Sequence, residues 1–148
     1  MSNNVISAAK SRRVAIVLLG GLAAFQVVRT LASSIIQDVL AGKTAEAWLF
    51  PASMDVFVGM TAIFVAIGIW RAKGLAIWTA AIVFFSLSIS DHADAIIVVL
   101  NTKGPLPAMM SGPTANTAEM LVVTSIVEAF AIWGLTTKRL RAHYLTAK

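Results

Sequence analysis

The chain has 148 residues, of which 58% are hydrophobic and 13% charged, with no cysteine and a formal net charge of +5. Soluble domains run at about 45–50% apolar and about 25% charged. A mean hydropathy of +0.82 therefore argues against a soluble enzyme, a disordered tail or a nucleic-acid-binding module. Without cysteine there is no disulfide framework, no thiolate metal site and no cysteine nucleophile.

A bilayer core about 30 Å thick takes roughly 20 apolar residues of helix. The first such stretch is Val14–Ile36. Lys10, Arg12 and Arg13 precede it in the manner of a signal peptide, and the expectation is a first span retained in the chain. Gln26, Arg29, Thr30, Ser33 and Gln37 follow at i, i+3, i+4, i+7 and i+11, one polar stripe on an uninterrupted α-helix. Gln37–Phe50 is a connection, and Ala45–Phe50 with Trp48 suits a short amphipathic turn at the membrane interface.

The second stretch, Ala52–Trp70, is entered by Pro51, which suits a first helical turn. Asp55 heads a face of small residues (Gly59, Ala62 and Ala66) that another backbone can approach closely. Asp55 also has a plainer reading, as a first-turn residue favoured by the helix dipole. Trp70-Arg71-Ala72-Lys73-Gly74 is a tight hairpin, which makes the second and third spans antiparallel neighbours.

Leu75–Leu100 is longer than the bilayer needs and must tilt or reach into the headgroups. Ser86, Ser88, Ser90, Asp91, His92 and Asp94 make its far end polar. At helical spacing His92 and Asp94 lie about 160° apart on either side of Asp91, so one metal ion cannot readily take both. No metal site is expected. Asn101–Thr117 carries Pro105, Pro107, Pro113, Gly104 and Gly112 and reads as a loop; its Met109 and Met110 suit an interfacial flap or a bland tether.

Ala118–Leu135 is the fourth span. Thr117, Leu121, Thr124, Ser125 and Glu128 share one of its faces, with Glu128 near the bilayer centre. Glu119 reads as a first-turn residue there. Residues 136–148 form a basic tail in which His143 is expected to be solvated. Trp48, Trp70, Trp78 and Trp133 are expected as interfacial anchors.

The charges sort by side. Lys10, Arg12, Arg13, Arg71, Lys73, Lys138, Arg139, Arg141 and Lys148 gather at one side with no acidic residue among them. Arg29, Lys43, Lys103 and all seven acidic residues lie on the other side or within the spans. The positive-inside rule then places both termini and the hairpin in the cytoplasm. The predicted fold is an all-α integral membrane protein. It is a single antiparallel four-helix domain, in the plasma (inner) membrane if the cell is bacterial, with basic ends that can touch anionic lipid at about 1 kcal/mol per residue.

Charged groups in hydrocarbon cost about 2.5–3.5 kcal/mol each on insertion scales, so those present are candidates for function. The candidate ligand-binding set is Gln26, Arg29, Asp55, Asp91, His92, Asp94, Thr124 and Glu128, centred on Asp91. Arg29 offsets one of the four carboxylates in that set. Protons, a cation or water must meet the rest, and Glu128, the deepest, is the one expected to carry a proton.

Three functions compete. The first is a multi-pass protein whose outward-facing polar site binds a proton, a cation or a small amphipathic ligand. Its small-residue faces suit a homo-oligomer or an accessory subunit of a membrane complex. The second is a membrane-embedded, isomerase-like enzyme in which Asp91, His92 and Glu128 run acid–base catalysis on a lipophilic substrate. The third is a purely structural subunit, with Asp91 and His92 merely fixing helices. The residues name no cofactor. The only two histidines, His92 and His143, fall on opposite sides, which excludes a histidine-rich di-iron site and a bis-histidine haem.

Overall fold

A helix in lipid satisfies its own backbone, and its neighbours cannot be driven together by water. Small residues are therefore favoured where helix backbones approach one another. The computed structural model describes residues 2–71, 73–104, 106–110 and 114–146, and much of its buried surface is alanine, with larger residues such as Val58, Phe84 and Phe85 filling the remaining space. Ala23, Ala62, Ala66, Ala81, Ala95 and Ala131 are buried, whereas Leu18, Met60, Phe64, Met120 and Phe130 are exposed. The described residues are all-helical, without a strand. Four helical runs are long and apolar enough to cross a membrane: Ala9–Leu40, Glu46–Arg71, Leu75–Asn101 and Thr117–Thr136. Of the residues singled out above, Ala72, Pro105, Gly112, Pro113 and Lys148 lie outside the described residues, as does the Met109 side chain.

The helices are α1 (Ser2–Phe25), α2 (Ser33–Leu40), α3 (Leu49–Arg71), α4 (Leu75–Asn101), α5 (Thr114–Thr136) and α6 (Lys138–Leu145). The first span is not one α-helix. Between α1 and α2 the chain tightens into a 3-10 helix over Gln26–Ala32, far longer than the usual run of about 3–4 residues. A 3-10 helix turns about 20° more per residue than an α-helix, so seven residues shift the phase by about 140°. That shift replaces the expected stripe. Gln26, Arg29 and Ala32 line up at three-residue spacing and are buried, and the inward line continues as Ile35 and Val39 of α2. Ser33 and Gln37, expected on the stripe, are rotated out and exposed.

Helix α3 packs against α1, the 3-10 segment and α4, and α4 packs in turn against α5. The first span and α5 meet at the Gln26–Glu128 hydrogen bond and otherwise leave a gap between them. Two apolar clusters result. One, on the hairpin side, gathers Leu19, Ala23, Val58, Ile69, Phe84, Phe85, Leu135 and Tyr144. The other, at the opposite end, gathers Ile35, Val39, Trp48, Ala52, Ala95 and Val99. Trp48 is thus a core residue of the second cluster, closing it from a 3-10 turn over Glu46–Trp48, and is not an interfacial anchor. Trp70 and Trp133 are exposed as expected of anchors.

The helix starts also differ from expectation. Helix α3 begins at Leu49 and α5 at Thr114, ahead of the expected Ala52 and Ala118. Neither has an acidic residue in its first turn, so Asp55 and Glu119 are not dipole caps. At the hairpin, Gly74 adopts φ 115°, a conformation open to glycine, and opens α4. Its N–H donates to the Tyr144 carbonyl at 2.8 Å.

The basic segment after the fourth span is folded back as α6. Tyr144 Oη donates to the Ile69 carbonyl at 2.9 Å, Trp78 Nε1 donates to the Leu135 carbonyl at 2.9 Å, and the Arg141 guanidinium lies over the Trp78 ring. His143, expected in solvent, stacks edge-on against Tyr144. Burial first, then Lys73 and Arg12, lower its pKa below the usual histidine value.

Candidate functional site

Between the two apolar clusters lies a layer of buried polar side chains supplied by three of the spans. The 3-10 segment delivers Gln26 and Arg29 inward because its three-residue turn eclipses them. Gly59 lets that segment come close. A β-carbon there would stand 2.7 Å from the Thr30 backbone nitrogen and 2.9 Å from Thr30 Cγ2. The expected small-residue face of α3 is therefore the seat of the 3-10 backbone, with Asp55 one turn away from that contact. Helix α4 contributes Ser88, Asp91 and His92, which share a face at i, i+3 and i+4, and α5 contributes Glu128.

Arg29 is the hub. Its Nε donates to Asp55 Oδ1, its Nη2 to Asp91 Oδ2, and its Nη1 to Ser88 Oγ, with Gln26 Oε1 at 3.4 Å from the same Nη1. Arg29 is 9% exposed and does not snorkel. A planar fork with five donors can meet all of these partners at once, which a lysine could not. Ser88 and Gln26 carry the network on to Glu128. Ser88 Oγ donates to Glu128 Oε1 at 2.6 Å and Gln26 Nε2 donates to the same oxygen at 2.8 Å. Glu128 Oε2 stands 3.5 Å from His92 Nδ1, and that nitrogen is also 3.3 Å from Ser125 Oγ.

Two carboxylate oxygens are left over. Asp91 Oδ1 and Glu128 Oε2 are buried without a hydrogen-bond partner, on residues only 2% and 1% exposed. Buried carboxylate oxygens ordinarily have partners, and leaving one without costs about 1–3 kcal/mol or more. Both residues line a cavity of about 550 Å³. Its polar floor is Gln26, Arg29, Asp55, Asp91, His92 and Glu128; its walls are apolar, with Leu22, Phe25 and Val28 on the first span and Met120, Leu121 and Val127 on α5. The cavity occupies the gap that those two spans leave open. Met110, from the connection between α4 and α5, edges it, so that connection does reach the site.

Seven of the eight expected residues line this cavity. Thr124 is in the wall, but its hydroxyl donates to the Met120 and Leu121 carbonyls of its own helix. Asp94 is the exception. It does not line the cavity and has no hydrogen bond or ion pair among the described residues; it sits about 60° round α4 from Asp91, on the flank opposite His92. Ser88 was missed, although its place one turn before Asp91 and His92 could have marked it. Among the described residues, no three histidine, aspartate or glutamate side chains gather to hold a metal ion.

Compared with family models, curated proteins and solved structures, the chain matches none. Its function must be read from the site.

Proposed function

We propose that this protein is an integral membrane protein that binds a small amphipathic molecule with a cationic head. The four spans run antiparallel with both termini in the cytoplasm, and the cavity opens in the outward half. One observation carries the reading: Asp91 Oδ1 and Glu128 Oε2 are buried, unpartnered and set in the floor of an otherwise apolar cavity. Three carboxylates face one guanidinium there, so the floor calls for positive charge or hydrogen-bond donors. The walls call for hydrocarbon, and the gap between the first span and α5 lets a molecule dissolved in the bilayer reach them.

Decyltrimethylammonium is a suitable probe. It should raise the thermal midpoint of the protein in lipid nanodiscs, and decanol at equal membrane concentration should not. Glu128→Gln should weaken that binding about tenfold or more, since a hydrogen-bonded or paired charge contributes about 1.5–3 kcal/mol. Equal shifts with the cation and the alcohol would refute a cationic ligand.

The orientation has its own test. Cysteines placed beside Lys10 and Lys73 should react with a membrane-impermeant reagent only from the cytoplasm, and those beside Lys43 and Lys103 only from outside. External labelling at position 73 would invert the protein. A second reading, acid–base chemistry on a lipophilic substrate, is favoured by the His92–Glu128 pair at 3.5 Å. It requires that a neutral lipophile bind as tightly as the cation.

A further inference from the structure

The cavity floor holds three carboxylates and one guanidinium, and Glu128 is the carboxylate that the guanidinium does not touch. Asp55 and Asp91 both lean on Arg29, and two anions already exceed its single charge. Glu128 is met by neutral donors at Oε1, from Gln26 and Ser88, and by nothing at Oε2 except the approach of His92 Nδ1. The groups that face it from the surrounding elements are Gln26 and Arg29 from the 3-10 segment, Asp55 from α3, Ser88, Asp91 and His92 from α4, and Ser125 from α5. No lysine is among them. A bare carboxylate in that setting has lost its water and gained no counter-charge, which is unfavourable. A proton on Oε2 relieves this when the cavity is empty. A bound ammonium relieves it when the cavity is full.

We infer that binding at this site is an exchange, in which a lipophilic cation entering the cavity displaces one proton from Glu128. The inference rests on the cationic-ligand reading above and specifies how the ligand is held and released. The Oε2–H bond breaks, and its electron pair stays on the oxygen as the carboxylate that faces the ammonium. The proton passes to the lone pair of His92 Nδ1, and His92 gives up the proton on Nε2 to water. Nothing is oxidised or reduced. Linkage fixes the sign of the pH effect: where the free protein holds the proton, affinity for the cation rises about tenfold per pH unit, and it levels off once Glu128 is ionised beforehand. Acidification then ejects the cation, so the proton and the lipophilic cation compete for one oxygen.

Titration calorimetry of decyltrimethylammonium into the full chain in lipid nanodiscs tests this, with empty nanodiscs as the blank. The probe carries a permanent charge, so any proton released comes from the protein. Repeating the titration in phosphate and in Tris, whose ionisation heats differ widely, counts the protons. At acidic pH, where the free protein holds the proton, the wild type should release about one proton per cation bound, and Glu128→Gln, which binds more weakly, should release none. Binding by the wild type with the same heat in both buffers would overturn the exchange while leaving the cationic ligand standing. Undiminished release from a folded Glu128→Gln would also overturn it, by assigning the proton elsewhere. No heat above the empty nanodiscs in the wild type would overturn the cationic-ligand reading itself. The wild-type proton count decides the stoichiometry even where the variant fails to fold.

Discussion

Arg29→Met should destabilise the protein by about 3–5 kcal/mol, the cost of removing one partner from a buried charge network. The reason is specific to this hub. Removing the guanidinium strips Asp55, Asp91 and Ser88 of their shared donor and leaves three carboxylates facing one another across the cavity floor. Arg29→Lys should recover only part of the loss, because one ammonium cannot span partners on two helices with the geometry of a planar fork. Neutralising the anions as well should restore much of it, so the triple variant Arg29→Met, Asp55→Asn, Asp91→Asn should be more stable than Arg29→Met alone. Unfolding in mixed micelles by titration with sodium dodecyl sulfate measures these differences. A loss below about 1 kcal/mol for Arg29→Met would mean that the guanidinium is as well served by water and lipid headgroups as by its carboxylates.

Gly59→Val should be the second most damaging change, at about 1–3 kcal/mol from overpacking. The obstacle is backbone, since the first new carbon would meet the Thr30 nitrogen at 2.7 Å and no rotamer change can move that atom aside. Either α3 or the 3-10 segment must shift, and a shift of the latter draws Arg29 away from Asp55. Gly59→Ala sharpens the test. In an open helix it would be stabilising by about 1 kcal/mol on propensity alone, so a net loss reports the clash directly. Gly21→Ala on α1 is the control, because a β-carbon there meets nothing within 4 Å. Matching effects at positions 59 and 21 would refute the close approach.

Much of the candidate site is legible in the sequence. Charged residues are so costly in hydrocarbon that each one inside a span announces itself, and the set from Gln26 to Glu128 was found on that basis. Arg29 was expected to need a carboxylate and has two. The roles within the set were less legible. Asp55 was weighed as a dipole cap because its helix was taken to start at Ala52; it starts at Leu49, and the dipole is spent within the first turn. Asp94 belongs to the expected set because, about 60° round the helix from Asp91, it can face a neighbouring span. The cavity lies on the other flank, and of these neighbours only Asp91 and His92 reach it.

What the amino-acid sequence determined by itself was everything that depends on length and local composition. Four runs too apolar for water and long enough for a bilayer become four helices, because a backbone in lipid has no other way to pair its own polar groups. The short hairpin at Arg71–Gly74 and the segregation of charge are equally local. What only the tertiary structure decided was phase and neighbourhood. The 3-10 turn over Gln26–Ala32 carries no marker in its residues; it forms where Gly59 admits the backbone and where Arg29, turned inward, meets Asp55, Asp91 and Ser88. Its extra twist then turns Ile35 and Val39 in and Ser33 and Gln37 out. The open side between the first span and α5 was equally hidden, since which apolar helices touch depends on how small residues from distant parts of the chain fit together, and lipid favours no one pairing in advance.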